Sequence, residues 1–181
     1  SHVRWALESG KHVCTTNKGP VALAGRALKQ LAAERGVSLE FEGSVLSGTP
    51  VLRTAERLFG GLEITGVQGI MNGTSNYILG RLEEGVDLSA AITEAQQLGY
   101  AEADPTADVE GYDAGAKCAI LASIAFGSRV VAGDVYHEGI SAITAADIGY
   151  ANRKALVVKL LAIAEREPNG RGERRVLRGA G

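Results

Sequence analysis

The sequence predicts an α/β protein: a partial Rossmann-type βαβ unit, then an α+β substrate-binding domain with a mixed sheet and covering helices. Three observations carry this. His12–Thr16 is a short β-rich run, Ala22–Arg35 is strongly helical, and Val37–Phe41 alternates like a strand. Their connections suit a parallel βαβ unit. Leu62–Ile70 then alternates as a further strand and leads into helical stretches. Third, the acidic, turn-rich stretch Gly99–Lys117 runs into the apolar segment from Cys118 to Phe126. The expected division is 1–50, which holds the βαβ unit, 51–150, and 151–181, which ends in a polar tail.

Taken in order, Arg4–Gly10 reads as the last turns of a helix that Gly10 ends as a C-cap. Pro20 suits the first turn of the next helix, whose stripe of Leu23, Ala27, Leu28, Leu31 and Ala32 marks its apolar face. Gly36 stops it. After the second strand comes the glycine-rich loop Phe41–Pro50. Val51–Leu58 is a helix ended by Gly60 and Gly61. The strand Leu62–Ile70 leads to Asn72-Gly-Thr-Ser-Asn76, a turn in which Thr74 or Ser75 is the expected N-cap. Tyr77–Glu84 is helical, and Asp87 opens a helix that runs to Leu98. Arg129–Val135 is a strand candidate. Thr144 and Asp147 form a capping box before a helix to about Ala151. Val157–Ala164 suits a buried strand or a helix. The segment from Glu165 is charged and glycine-rich, the composition of a mobile tail.

Composition narrows the function classes. The chain has 181 residues, 45% hydrophobic and 22% charged, with net charge −2, so nothing in it favours nucleic acid or an anionic membrane. No apolar run reaches the ~18 residues of a membrane helix. Cys14 and Cys118 lack metal or redox spacing, which argues for a reducing, cytoplasmic setting. His2, His12 and His137 form no ligand pattern. A dinucleotide-binding half with Gly-x-Gly-x-x-Gly after a strand is not found, and the chain reads as starting in mid-fold.

Chemistry concentrates in Gly99–Lys117. Glu102, Asp104, Asp108, Glu110 and Asp113 crowd a turn-rich loop, with Lys117 four residues beyond Asp113 on one helix face. On spacing alone this pair is a solvated ion pair. The small residues Ala114, Gly115 and Ala116 leave room for a ligand, and Lys117 could then donate a proton or stabilise an alkoxide. The Asn72-Gly73-Thr74 turn is either a plain strand-to-helix connection or an N-terminus that holds a carboxylate. Glu42 is a surface carboxylate or, with backbone carbonyls, a ligand for a hard cation. Lys18 follows a strand and precedes a helix, where open α/β sheets bind ligands.

Four motifs, Gly69-Ile-Met-Asn-Gly-Thr-Ser-Asn-Tyr-Ile-Leu79, the Gly99–Lys117 stretch, Gly10-Lys-His-Val-Cys-Thr-Thr-Asn-Lys-Gly-Pro20 and Glu138-Gly-Ile-Ser-Ala-Ile-Thr-Ala-Ala-Asp-Ile148, together resemble the homoserine dehydrogenase family, in collinear order over nearly the whole chain. The resemblance implies NADP- or NAD-dependent interconversion of L-aspartate 4-semialdehyde and L-homoserine, on the route to threonine, isoleucine and methionine, by a homodimer. It implies 1–50 as the remnant of a nucleotide-binding domain, 51–150 as the catalytic and substrate domain, and 151–181 as a partial dimerisation segment with a polar tail. It implies Lys117 as proton donor, Asp113 as both a catalytic residue and a substrate ligand, and Glu102 as a substrate ligand. Gly73, Thr74, Tyr100 and Asp108 belong to the same pocket. Lys18, Asn17 and Gly99 would contact the cofactor, with Lys18 near the reaction centre. Glu42 with the carbonyls of Val45, Ser47 and Thr49 would hold sodium. Cys14, Thr16, Lys154-Ala-Leu156, Gly43-Ser44 and Leu46-Ser47 depart from the family pattern. The other expectation is a non-catalytic remnant acting as a substrate-binding or dimerisation module.

Overall fold

The computed structural model describes residues 1–166. The expected mobile tail lies almost wholly beyond them. Contacts divide the chain into two units, each discontinuous in sequence. The first comprises Ser1–Val67, Ala116–Val135 and 163–166; the second comprises Gln68–Gly115 and Tyr136–Ala162.

The first unit contains the expected βαβ element. Helix α1 (His2–Glu8) is followed by β1 (Val13–Cys14), α2 (Lys18–Glu34) and β2 (Leu39–Glu40). β1 and β2 pair in parallel, Val13 opposite Leu39 and Cys14 opposite Glu40. The ladder extends through Val13 N to Ser38 O and Thr15 N to Glu40 O, both 2.9 Å. Gly10 closes α1 at φ +70°, a left-handed conformation that costs glycine nothing. α2 begins earlier than Ala22, because Asn17 caps it: its Oδ1 accepts from Gly19 N at 3.0 Å. Pro20 therefore stands at the third helical position. The helix kinks at Ala24, where φ is −146°. Leu7, Val21, Ala22, Leu28, Leu39 and Phe41 are buried. Helices α3 (Gly43–Leu46) and α4 (Val51–Arg57) follow.

Two predicted strands are shorter or different. Leu62–Ile70 yields only β3 (Gly66–Gly69), which pairs with β4 (Ala162–Glu165). Thr65 adds one bond, accepting from Arg166 N at 2.8 Å. The apolar run Val157–Ala164 thus contributes a strand only at its end. Arg129–Val135 is not a strand. Ser123 Oγ donates to Val130 O and accepts from Val130 N, while Asp134 Oδ2 accepts from Val131 N. These side chains take the backbone groups a ladder would need, and a 3₁₀ turn forms over Ala132–Asp134.

The second unit is mainly helical: α5 (Gly73–Glu83), α6 (Leu88–Gln97), the single turn α7 (Thr106–Val109), the start of α8 (Tyr112–Ala125) and α9 (Ala145–Arg153). Asp87 caps α6, its Oδ1 accepting from Ser89 N and Ala90 N. The capping box at α9 forms as expected, with Thr144 N donating to Asp147 Oδ2 at 2.8 Å and Asp147 N to Thr144 Oγ1 at 3.2 Å. Ile78, Leu79, Ala91, Ala95, Val109, Ala114, Ile140, Ile148 and Leu160 make one apolar core. Each fully buried aliphatic side chain contributes about 1.5–3 kcal/mol. At Gly99 the chain leaves α6 with φ +76°, and Tyr100 N returns to Ala95 O at 2.8 Å.

Segments 109–111 and 138–140 approach more closely than side chains would allow. Ile140 N donates to Val109 O at 2.8 Å. A Cβ on Gly139 would meet Val109 O at 2.6 Å, and one on Gly111 would meet Glu138 O at 2.7 Å. Real Cβ atoms do not sit so near backbone oxygens, so the loops must part. Gly139→Ala is therefore expected to lower stability by about 1–3 kcal/mol, measured by urea denaturation; an unchanged midpoint would show that these loops can shift without loss.

Candidate functional site

Asn72 gathers the polar residues of the second unit. Its backbone is extended, with φ −126° and ψ 115°, and its side chain rather than that of Thr74 or Ser75 caps α5. Asn72 Oδ1 accepts from Ser75 N at 2.7 Å. Its Nδ2 donates to Asp108 Oδ1 at 2.6 Å and to Asp113 Oδ2 at 2.9 Å. Ser75 Oγ lies 2.7 Å from Asn72 Oδ1 and 3.0 Å from Asp108 O, sharing its proton between them. Thr74 Oγ1 donates to Tyr100 O at 2.7 Å. The first turn of α5 is thus stitched to the acidic stretch at three points, Tyr100, Asp108 and Asp113.

Burial excludes one reading of Asp113, that of a solvated surface ion pair. A solvated ion pair needs an exposed carboxylate, yet Asp113 is 6% exposed. Asn72, Thr74 and Ser75 are buried with it, and Asp108 is partly buried. A buried carboxylate is tolerated only when paired or hydrogen-bonded. Lys117 is half-buried on α8, one turn beyond Asp113.

The remaining predicted pocket residues take distinct places. Gly73 is exposed at the first position of α5, and a Cβ there would meet nothing within 4 Å. The Tyr100 ring is exposed and packs on Tyr77, centroids 4.9 Å apart and tilted by 52°. Glu102 is exposed, and its carbonyl accepts from Gln96 Nε2 at 3.1 Å. So Asp108, Asp113, Thr74 and Tyr100 are joined by hydrogen bonds through α5, whereas the Glu102 carboxylate is not part of that network among the described contacts.

In the first unit, Asn17 and Lys18 sit at the start of α2, directly after β1. Thr15 Oγ1 accepts from Asn17 N at 3.0 Å and fixes the turn. Glu42 has a local structural role: its Oε1 accepts from Leu52 N and its Oε2 from Arg53 N, both at 2.9 Å, so it caps α4. Thr49 O already accepts from Val51 N at 2.8 Å. Ser47 turns the loop at φ 50°. Two of the four oxygen groups expected for sodium are thus engaged within the protein. Among the described residues, no group of three or more His, Cys, Asp or Glu could hold a metal ion. Burial pushes the Cys118 thiol up to about 11, which suits a packing role rather than reactivity.

Asn72 is the residue that sequence reasoning left without a role of its own. Its position before a helix signals a cap, but its carboxylate partners lie 36 and 41 residues away. No local pattern encodes that.

The fold is that of an α/β dehydrogenase domain. The sequence model of the homoserine dehydrogenase family matches residues 50–177. An NAD(+)-dependent homoserine dehydrogenase of Pseudomonas canavaninivorans is 51% identical over 170 residues, 94% of this chain and 48% of its own length. The homoserine dehydrogenase of Mycobacterium tuberculosis H37Rv is 50% identical over 172 residues, 94% of this chain and 39% of its own. A crystal structure of a Thiobacillus denitrificans homoserine dehydrogenase superposes with a TM-score of 0.88 at 43% identity, covering 93% of this chain and 39% of that one. A hyperthermophilic archaeal homoserine dehydrogenase in complex with NADPH gives 0.77 at 30% identity, covering 90% of this chain and 48% of that one. The chain belongs to the homoserine dehydrogenase family, and it spans about half or less of the length of the relatives it matches.

The acidic stretch carries a pH signature. The Thr106 hydroxyl and then the Thr106 N–H, both donating to Asp104, hold that carboxylate below its ordinary 3.8. A depressed folded-state value means that the unfolded chain binds the proton more readily. The resulting stabilisation is present above about 3.8 and is lost as pH falls through the lower folded value. Asp104→Asn is expected to flatten the fall of unfolding free energy with acidification below pH 4, measured by urea titration; an unchanged acid limb would remove Asp104 from the account.

Proposed function

We propose that this chain is the substrate side of an NAD(P)-dependent homoserine dehydrogenase that interconverts L-aspartate 4-semialdehyde and L-homoserine, in the synthesis of threonine, methionine and isoleucine. The observation that supports it most is the buried Asp113 carboxylate held beside Asp108 at the start of α5, in a chain of this family.

An α-amino acid carries an ammonium and a carboxylate. Asp113, with Asp108 and Glu102, supplies negative charge for the ammonium. The start of α5, exposed at Gly73 and buried at Thr74, supplies N–H donors and a positive helix end for the carboxylate. Reduction of the aldehyde places negative charge on its oxygen. Lys117 donates the proton there, and in the reverse direction takes it from the hydroxyl. Tyr100 borders the same pocket.

The nicotinamide cofactor supplies or accepts the hydride. Lys18, Asn17 and Gly99 would lie against it. Asn17 and Lys18 suit the position, since the C-terminal end of a parallel strand meeting a helix start is where open α/β sheets receive nucleotides. Among the described residues, no Gly-x-Gly-x-x-Gly sequence follows a strand. A sodium ion at Glu42, Val45, Ser47 and Thr49, a homodimeric assembly and a cytoplasmic location belong to the same reading.

Lys117→Met separates chemistry from binding. The expected outcome is a fall in NADPH oxidation with L-aspartate 4-semialdehyde of at least about 100-fold, with L-homoserine binding by calorimetry nearly unchanged. Activity that survives this change would remove Lys117 as proton donor. Absence of L-homoserine binding by the unmodified protein would remove the proposed function itself.

A further inference from the structure

We propose that Asn72 is a positioning residue of the substrate site, an amide clamp that holds Asp108 and Asp113 side by side and locks both to the start of α5. The inference rests on the substrate reading given above, but the geometry behind it is independent of any ligand. Both Nδ2 protons are committed, one to Asp108 Oδ1 at 2.6 Å and one to Asp113 Oδ2 at 2.9 Å. Oδ1 accepts from Ser75 N at 2.7 Å, with the Ser75 hydroxyl at 2.7 Å. The amide orientation follows from these partners, because the flipped form would put its oxygen against two carboxylates. Asn72 is 5% exposed, so each of these bonds is made away from bulk water.

Helix capping alone does not require asparagine. Serine, threonine or aspartate at this position would accept from Ser75 N equally well. Aspartate would add a third carboxylate to the pair. Serine would keep the cap but has no two N–H groups to offer. Only a short amide presents an acceptor to a helix N-terminus and two donors to two carboxylates at once. Two neighbouring carboxylates repel, and repulsion turns them apart unless a donor lies between them. With the clamp in place, both stay oriented before a substrate ammonium arrives, so less ordering remains for binding to supply.

Asn72→Ser tests this, because it removes the clamp and keeps the cap. The expected result is an unfolding midpoint lowered by the loss of a donor to a buried carboxylate, and an L-homoserine dissociation constant raised about tenfold, equivalent to about one charge-assisted hydrogen bond. Asn72→Ala, which removes cap and clamp together, is expected to lower the midpoint further. L-Homoserine binding by Asn72→Ser within about twofold of the unmodified protein would overturn the proposal. A ligand-free readout keeps the two readings apart. In 1H–15N spectra of the unmodified protein, both Asn72 side-chain amide protons are expected to exchange slowly with solvent. Rapid exchange of either proton would overturn the clamp even if L-homoserine binds. Slow exchange without any L-homoserine binding would uphold the clamp and reject the substrate reading.

Discussion

A carboxylate withdrawn from water must find hydrogen-bond donors, or it will not stay charged or stay buried. Asn72 gives Asp113 one such donor, the N–H of a neutral amide. Because the same amide grips Asp108 and its oxygen caps α5, one side chain joins both carboxylates to the start of the helix. Ser75, fully buried beneath Asn72, links that side chain to the backbone of Asp108.

The clamp works only if the segments bearing its partners stay in place. Asp108 lies in the single turn α7, too short to be stable alone. Its support comes from the interlocked glycines: Ile140 N bonds to Val109 O, and the absence of Cβ atoms at Gly111 and Gly139 lets the two loops touch backbone to backbone. Ile140 itself is buried in the apolar core together with Val109. The capping box of α9 fixes the chain that follows, placing Ile148 in the same core. The acidic stretch is therefore held from both sides, by hydrogen bonds at Asn72 and Thr74 and by apolar packing beneath.

Much of this was legible in the sequence where the determinant is local. The βαβ unit follows from a β-rich run, a helical stripe and a glycine stop. Asp87 and the Thr144–Asp147 box announce helix starts within a few residues. Pro20 marks the first turn of α2 in the sequence, and Asn17, whose side chain accepts from Gly19 N, sets where that turn begins. Arg129–Val135 has strand-like composition, but Ser123, seven residues back, takes the backbone groups of Val130, and composition does not reveal such competition. The pocket was legible as a crowd of acids near a lysine, and a pair four apart on a helix looks solvent-exposed in a sequence. Burial of Asp113 and its bond to Asn72 depend on packing across 41 residues, beyond the reach of spacing. Glu42 shows the converse: a glycine-rich loop suggested a cation, while the nearest use of its two oxygens is the start of α4.

On the proposed function, the Asp108–Asp113 pair, preset by Asn72, receives the amino group of the substrate. A crystal structure of the protein with L-homoserine bound tests it most directly. The account predicts the ligand ammonium within hydrogen-bond distance, about 2.7–3.2 Å, of a carboxylate oxygen of Asp113, with the Asn72 bonds to both carboxylates intact. L-Homoserine bound with its ammonium elsewhere, and Asp113 making no contact to it, would contradict the account.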